Sequence, residues 1–219
     1  GGGVYYNTID YVTFATEGDA TDFGDTTLSR ALGDGFNSDT RGVDGGGYAG
    51  STPFNTIDYV TIASTGNATD FGNLTTTKRS FCGAASSPTR GLWFAGFNGS
   101  TSLQSIDYVT IASTGNALDF GDLGDLRTNG AACSNNTRAL SLWGNSANVY
   151  YVTIASTGNA VDFGDLSFST QFNAAVSSQT KALFTRYNNV TVEQFTIAST
   201  GNSTDYGDLF QNSGYFRGT

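Results

Sequence analysis

One sequence phrase recurs five times and constrains the fold of this chain more than any other feature. The second copy spans residues 59–72 and reads Tyr-Val-Thr-Ile-Ala-Ser-Thr-Gly-Asn-Ala-Thr-Asp-Phe-Gly. Its threonine recurs at Thr13, Thr61, Thr110, Thr153 and Thr196, at spacings of 48, 49, 43 and 43 residues. A second landmark, Thr-Arg, occurs at 40–41, 89–90 and 137–138, and becomes Thr-Lys at 180–181. These landmarks extend along all 219 residues, so we predict one repeat domain over 1–219.

Each repeat contains four short strand candidates. The clearest spans Thr56 to Ala63 and carries apolar residues on both faces, which indicates that both faces are covered. A turn and a second strand over Ala68 to Leu74 follow. The third candidate is rich in small residues, as in 83–85, and the fourth follows Thr-Arg, as in 91–96. Four strands in 43–49 residues are typical of a β-propeller blade, and the small-residue strand fits the innermost position.

The composition and the chain ends agree with a propeller. Of the 19 acidic residues, 17 are Asp, which favours turns over helices. We therefore predict an all-β, five-bladed β-propeller with four-stranded blades. Gly1–Gly3 match Gly45–Gly47, and Gly214–Thr219 stop inside a small-residue strand, so the termini are expected to meet in one blade. That blade is short of one Thr-Arg strand, which suggests a trimmed fragment or an incompletely known sequence.

Two resemblances follow from these residues. The order of small-residue strand, glycine cluster (Gly45–Gly47) and aromatic strand is similar to kelch repeats, with Tyr59 and Phe71 near the aromatic positions of kelch blades. The phrase Ile-Asp-Tyr-Val-Thr-Ile-Ala-Ser-Thr-Gly-Asn-Ala-Xaa-Asp-Phe-Gly-Asp-Leu resembles a repeat of predicted structural proteins of marine tailed phages. The second resemblance implies a virion setting and names no catalytic residue.

Charge and composition exclude several kinds of partner. The net charge is −9 and the ten basic residues are scattered singly, whereas a nucleic-acid surface needs clustered Lys and Arg. No apolar run approaches the roughly 20 residues that span a bilayer, so membrane insertion is not expected. The cysteines Cys82 and Cys133 occupy different offsets in their repeats, which favours buried thiols over a disulfide.

The recurring motifs favour structural roles over catalysis. The chain has no His, which excludes a kinase reading of Asp-Phe-Gly and the usual nucleophilic triads. We predict that the Asp caps a turn, that the aromatic residue packs between blades, and that the Thr-Arg arginines bond carbonyls of a neighbouring blade. Two alternatives stay open. Ca²⁺ could bind the acidic pairs Asp22/Asp25, Asp119/Asp122, Asp162/Asp165 and Asp205/Asp208. The unusual acids Glu17 and Glu193 could serve a glycosidase.

The function is expected to lie in loops that only the longer, early repeats possess. These loops are Tyr48–Pro53 and Asn98–Gln104. We predict a non-catalytic binding or structural protein without a metal or cofactor, most simply a virion tail or fibre adhesin or decoration domain. Its expected partners are a host-surface glycan or protein, or other virion proteins, and its location is the virion or the extracellular space. A soluble lectin is the alternative, and a glycosidase the weakest one. The candidate ligand residues are Tyr48, Ser51, Asn98, Ser100, Trp93 and Trp143, although core packing is the default role for the two tryptophans.

Overall fold

The chain is all-β throughout the residues that its computed structural model describes, namely 4–81, 83–142, 145–170, 174–186 and 188–211. They form 19 strands and no helix, so none of them belongs to a helix that could span a membrane. In chain order the strands are β1 (Thr8–Tyr11), β2 (Thr21–Asp25), β3 (Ala31–Asn37), β4 (Arg41–Ala49), β5 (Thr52–Pro53), β6 (Thr56–Thr61), β7 (Thr69–Asn73), β8 (Ala84–Ser86), β9 (Arg90–Phe97), β10 (Ser102–Thr110), β11 (Leu118–Arg127), β12 (Ala131–Ser134), β13 (Arg138–Leu142), β14 (Ser146–Thr153), β15 (Val161–Thr170), β16 (Ala174–Ser177), β17 (Lys181–Thr185), β18 (Thr191–Thr196) and β19 (Thr204–Asp208). The all-β prediction is confirmed for this part of the chain.

The strands pair antiparallel, in chain order, into five sheets. Sheet 1 has two strands, β1 and β2. Sheet 2 has the order β3-β4-β6-β7, with β5 paired to β4. Sheets 3, 4 and 5 have the orders β8-β9-β10-β11, β12-β13-β14-β15 and β16-β17-β18-β19. Sheets 2 to 5 thus contain the four kinds of strand predicted from the repeat, with the small-residue strand at one edge.

The Thr-Arg landmark is the end of a side-chain-capped turn. In sheet 3, Ser87 Oγ accepts the backbone N–H groups of Thr89 and Arg90, at 3.4 and 3.1 Å. Ser38, Asn135 and Ser178 cap the equivalent turns of sheets 2, 4 and 5. Short polar side chains that bind backbone two or three residues ahead are the usual means of fixing such turns. The turn therefore fixes the register between the small-residue strand and the Thr-Arg strand.

The apolar core is divided among the spaces between consecutive sheets. Between sheets 2 and 3, for example, Ile57 and Phe71 lie in one buried cluster with Val109 and Ile111. Equivalent clusters lie between sheets 3 and 4 and between sheets 4 and 5. Each of the sheets 3 and 4 is consequently covered on both faces, as the apolar residues on both sides of its strands predict.

A repeated hydrogen-bonded link joins each sheet to the next. Between sheets 3 and 4, Phe120 O accepts the N–H of Gly158 at 2.7 Å. Asp122 N donates to Asn159 Oδ1 at 3.0 Å, and Asp122 O accepts the N–H of Ala160 at 2.8 Å. The same three bonds join sheets 1 and 2, sheets 2 and 3, and sheets 4 and 5. The repeat therefore encodes its own contact with the following repeat.

Among the described residues, this link is not made between sheet 5 and sheet 1. The equivalent residues would be Tyr206 and Asp208 of sheet 5 and Gly18 of sheet 1, and no bond joins them. Tyr206 is 57% exposed, whereas Phe163, its equivalent in sheet 4, is 2% exposed. A cavity of about 470 Å³ lies on this face of sheet 5, between Leu183 and Tyr206. The termini predicted to complete one blade, 1–3 and 212–219, lie outside the described residues.

The small-residue strands β3, β8, β12 and β16 line one shared cavity of about 690 Å³. Serines of β8, β12 and β16 and Asn37 of β3 form a hydrogen-bonded series along its lining. Ser177 Oγ donates to Ser134 O, Ser134 Oγ to Ser86 O, and Ser86 Oγ to Asn37 O, at 2.7, 2.7 and 2.9 Å. Small side chains allow these four edges to approach one another, which is what the sequence predicts for the innermost strands.

Candidate binding surface

The first predicted loop is a short hairpin at one end of sheet 2. Tyr48 and Ala49 pair with Pro53 and Thr52, so part of the predicted loop is strand. Gly50 has a φ of +63°, a conformation that glycine adopts readily, and this permits the tight reversal. Ser51 lies exposed at the tip, and Tyr48 is half-buried at the base.

The second predicted loop is an asparagine-capped turn at the same end of sheet 3. Asn98 Oδ1 accepts the N–H groups of Ser100 and Thr101 at 2.9 and 2.8 Å. The remaining residues of the predicted loop, 102–104, are the start of β10. The turn lies against the hairpin, so closely that a Cβ added at Gly99 would be 3.3 Å from Pro53 Cγ. The two extensions therefore form one continuous surface, which we call the loop surface.

An arginine that sequence analysis missed lies beneath this surface. The Arg79 guanidinium carbon lies 4.5 Å from the Tyr48 ring centroid and 5.3 Å from that of Phe97. Tyr5 packs edge-on against Tyr48, with ring centroids 5.6 Å apart. The backbone N–H of Arg79 donates to Phe97 O at 3.0 Å, which fixes the strand that carries Asn98.

A departure from the repeat could have identified Arg79. Ala31 and Thr128 occupy the equivalent positions of the neighbouring repeats, so only this copy places a cation there. Among the described residues Arg79 has no carboxylate partner. Its guanidinium lies over two aromatic rings of the protein, and the N–H groups at its edge can donate hydrogen bonds to the hydroxyl or carbonyl oxygens of a ligand.

The tryptophan alternative is wrong for Trp93. Its ring is fully buried, and Nε1 donates to Asp34 O at 2.8 Å. The ring also packs against Phe36, with centroids 4.5 Å apart. The ring fills the close-packed space between sheets 2 and 3. It therefore has no exposed face on which a ligand could stack. The other tryptophan, Trp143, lies outside the described residues.

The Thr-Arg arginines bond a neighbouring sheet, as predicted. Arg41, Arg90 and Arg138 each donate through Nη1 to the carbonyl oxygen of an isoleucine in the following sheet, at 2.8, 2.9 and 2.9 Å. Each guanidinium also lies 4.4–4.7 Å from a tyrosine ring of its own sheet. In sheet 5, Lys181 bonds Gln194 Oε1 instead, at 2.7 Å.

The Asp-Phe-Gly motif is structural in most of its copies. Asp22, Asp70, Asp119 and Asp205 each accept the N–H of the glycine two residues later, at 3.0–3.2 Å. Within the described part of the chain, Asp162 makes no such bond. The phenylalanines are buried at 9% exposure or less. The glycine has a role that sequence analysis missed, since a Cβ at Gly121 would lie 2.4 Å from Gly158 O of the next sheet.

Two buried ion pairs connect successive sheets. Arg30 Nη2 lies 2.9 Å from Asp58 Oδ2, and Lys78 Nζ lies 2.9 Å from Asp107 Oδ1. Lys78 also donates to Ser105. Burial lowers the pKa of the Lys78 ammonium, while the Asp107 carboxylate acts in the opposite direction. The side chains of both pairs are 4% exposed or less, so the pairs join successive sheets and are not available to a ligand. Arg30 Nη2 also lies 2.7 Å from Oδ2 of Asp44, whose side chain is 41% exposed.

The two unusual acids do not form a carboxylate pair. Glu17 is exposed in the turn between β1 and β2. Glu193 is 3% exposed, accepts the N–H of Ser167 and the hydroxyl of Ser203 at 3.1 Å, and lies 3.9 Å from Arg186. A glycosidase needs two carboxylates facing one substrate, and this arrangement does not supply that geometry. No group of three or more His, Cys, Asp or Glu side chains within the described ranges could hold a metal.

The thiol of Cys133 is buried and free, in agreement with the sequence prediction. Burial raises its pKa to about 12. Cys82 lies outside the described residues. No protein-family model matches the chain, and no curated protein has a matching sequence.

Proposed function

We propose that the five sheets are blades of a kelch-like β-propeller that closes where the two ends of the chain meet in one blade. Four copies of the sheet-to-sheet link support this arrangement, as do the four small-residue strands around one cavity. Closure would cover the open face of sheet 5 and remove exposed edges.

Substitution of Gly207 tests closure. In the described structure nothing lies within 4 Å of a Cβ added there, whereas a Cβ at its equivalents in sheets 1 to 4 meets the next turn at 2.2–2.4 Å. A closed ring predicts that Gly207→Ala destabilises as much as Gly121→Ala in urea unfolding. A much smaller loss would contradict closure.

We further propose that the protein is a non-catalytic binding module, a virion tail or fibre adhesin or decoration domain, and that the loop surface contacts the host. The observation that carries the proposal is the meeting of the two early-repeat extensions at Pro53 and Gly99, above Tyr48 and Arg79. Variable loops on a constant scaffold are where recognition usually lies. The resemblance to phage structural repeats supports a virion or extracellular setting.

The ligand that this surface fits best is a neutral glycan, or a protein. The net charge of −9 repels an anionic polymer. Aromatic rings suit the apolar face of a sugar, and the Arg79 guanidinium can donate hydrogen bonds to its hydroxyl groups. The exposed Ser51 and Ser100 and the half-buried Asn98 supply further polar contacts. A lectin with the symmetry of the repeat would have an equal ligand site in every cleft between sheets. The loop surface is formed only by sheets 2 and 3, which favours a single contact with the ligand.

The test shortens 48–53 and 98–104 to the length of the later repeats and measures binding to host cells and to a panel of neutral glycans. We expect binding to be lost while thermal unfolding stays cooperative. Arg79→Ala should weaken binding by about tenfold or more, since hydrogen bonds from a charged group are worth about 1.5–3 kcal/mol.

Gln179→Ala is the matched control. Gln179 is exposed on the turn between β16 and β17 of sheet 5, away from the loop surface on sheets 2 and 3. If the shortened protein retained binding, the ligand would have to contact a surface other than the loop surface. Hydrolysis of a glycan in the same assay would contradict the non-catalytic proposal.

A further inference from the structure

Asn98 begins the loop 98–101 that joins β9 to β10, and its side chain is held by that loop. Its carboxamide oxygen accepts the backbone N–H groups of Ser100 and Thr101 at 2.9 and 2.8 Å. The N–H of Asn98 itself donates to Thr101 O at 3.1 Å, which closes the loop. The carboxamide is therefore fixed beside the backbone of the residues that follow it.

The peptide nitrogen that follows Asn98 is available as a nucleophile. Within the part of the chain that the structure describes, the Gly99 N–H donates to no acceptor. Gly99 is exposed and has a φ of +98°, which glycine adopts readily, and it carries no side chain that would crowd its nitrogen. Attack of this nitrogen on Cγ of Asn98 closes a succinimide ring, and the two groups are already held together by the chain.

The bonds to the carboxamide oxygen favour the same reaction. Attack at Cγ turns Oδ1 into an oxyanion, and donors already aimed at the place where charge develops lower such a barrier. Ser100 N and Thr101 N are two donors of this kind, and the Thr101 hydroxyl adds a longer contact at 3.5 Å. The loop thus supplies a nucleophile without a competing bond and an oxyanion site for the same carboxamide.

We propose that Asn98 is a self-modification site, at which the folded loop converts asparagine to aspartate or isoaspartate with water as the only co-reactant. The Gly99 nitrogen loses its proton to solvent and bonds to Cγ, while the Cγ–Nδ2 bond breaks and the amide nitrogen takes up a proton and leaves as ammonia. Water then opens the succinimide. Attack of water at Cγ gives aspartate, and attack at the backbone carbonyl gives isoaspartate, in which the chain runs through the side chain.

A second Asn-Gly pair, Asn129-Gly130, lacks both features. The Gly130 N–H donates to Phe81 O at 3.2 Å, so its nitrogen is engaged in a bond to the preceding repeat. The Asn129 carboxamide donates to Thr128 Oγ1 at 3.1 Å, and no described N–H group donates to its oxygen. Asn129 is the more exposed of the two asparagines. Exposure alone therefore predicts that Asn129 reacts faster, whereas the loop geometry predicts that Asn98 does.

The modification adds one negative charge to the loop surface. Asn98 directly follows Phe97, over whose ring the Arg79 guanidinium lies. A carboxylate at this position keeps an oxygen that accepts the N–H groups of Ser100 and Thr101, so the aspartate product leaves the loop closed and changes its charge. This chemistry needs no ligand, so its test is independent of the proposed adhesion.

The experiment follows both asparagines in the same folded protein, incubated at pH 8 in water enriched in heavy oxygen. Hydrolysis of a succinimide places an oxygen atom of water in the product, so mass spectrometry of proteolytic fragments separates new product from older product. We expect Asn98 to react at least about tenfold faster than Asn129, which corresponds to about 1.4 kcal/mol of activation free energy. In guanidinium chloride the two sites should react at similar rates, because each asparagine is then followed by an unrestrained glycine. Folding should not slow Asn98.

Asn98→Ser is the matched control, since a serine hydroxyl caps the turns at Ser38, Ser87 and Ser178 and cannot form a succinimide. This variant should show no new acidic product in the fragment that contains the loop, while Asn129 reacts as before. If the variant fails to fold, the comparison of the two sites in the unaltered protein still decides the result. Equal rates at the two sites in the folded protein, a faster reaction at Asn129, or protection of Asn98 by folding would each overturn the proposal.

Discussion

Replacing Gly121 by alanine isolates the contact on which the sheet-to-sheet link depends. Gly121 has a φ of +142°, and a Cβ there would lie 2.4 Å from Gly158 O and 2.9 Å from Asn159 N. Gly158→Ala is the matched control, because Gly158 has a φ of +156° and its added Cβ meets nothing within 4 Å. Both variants introduce alanine at a positive φ, and only the first also forces the sheets apart.

The magnitude follows from the bonds at this contact. A side chain at a positive φ in this region costs about 1–3 kcal/mol, and we assign that strain to both variants. Gly121→Ala must in addition displace a turn that makes three hydrogen bonds with the preceding sheet. At about 1 kcal/mol for each bond, the extra destabilisation is about 3 kcal/mol.

The assay is urea unfolding of the wild-type protein and both variants, with free energies taken from the midpoint and slope. We expect Gly121→Ala to lose more stability than Gly158→Ala by about 3 kcal/mol. Equal losses would refute the reasoning, because the close approach of Gly121 to the next sheet would then have no energetic consequence.

Three further outcomes are expected. Lys78→Met should destabilise by about 3–5 kcal/mol in urea unfolding because it leaves the buried Asp107 carboxylate without a cation, with only the hydrogen bonds from Thr75, and adding Asp107→Asn should recover part of the loss. Asp119→Ala should cost about 1 kcal/mol through the lost turn bond; an unchanged midpoint together with lost ligand binding would indicate a binding role instead. In a Cys82→Ser background, Cys133 should react with a thiol reagent at pH 8 only after unfolding, since burial raises its pKa to about 12 and leaves almost no thiolate, and rapid native-state labelling would contradict this.

The sequence was sufficient to predict the strands and their order because the same turn residues and apolar pattern recur in each repeat. Turn residues and apolar alternation mark the strands, as the observed β6 (Thr56–Thr61) and β9 (Arg90–Phe97) illustrate. The role of the motif glycine was not predictable, because it depends on a turn 37 residues further along the chain, between Gly121 and Gly158.

The candidate surface was predictable only in part. Tyr48, Ser51, Asn98 and Ser100 lie in two extensions that repeat length alone identifies, but their contact at Pro53 and Gly99 depends on how sheets 2 and 3 pack. Arg79 was missed because it lies outside both extensions. For Trp93 the default prediction of core packing is confirmed, and its alternative role as a ligand residue is wrong. The sequence kept both readings because no pattern distinguishes the space between two sheets from an open cleft.

The most direct measurement of binding through the loop surface is a hydrogen-exchange footprint of the protein with the glycan or host-surface protein that it retains. The proposal predicts slowed exchange at 48–53 and 98–101, and at the backbone of Arg79. Protection confined to the turns at the other end of the sheets, such as 38–40 and 87–89, with no change at the loop surface, would contradict it.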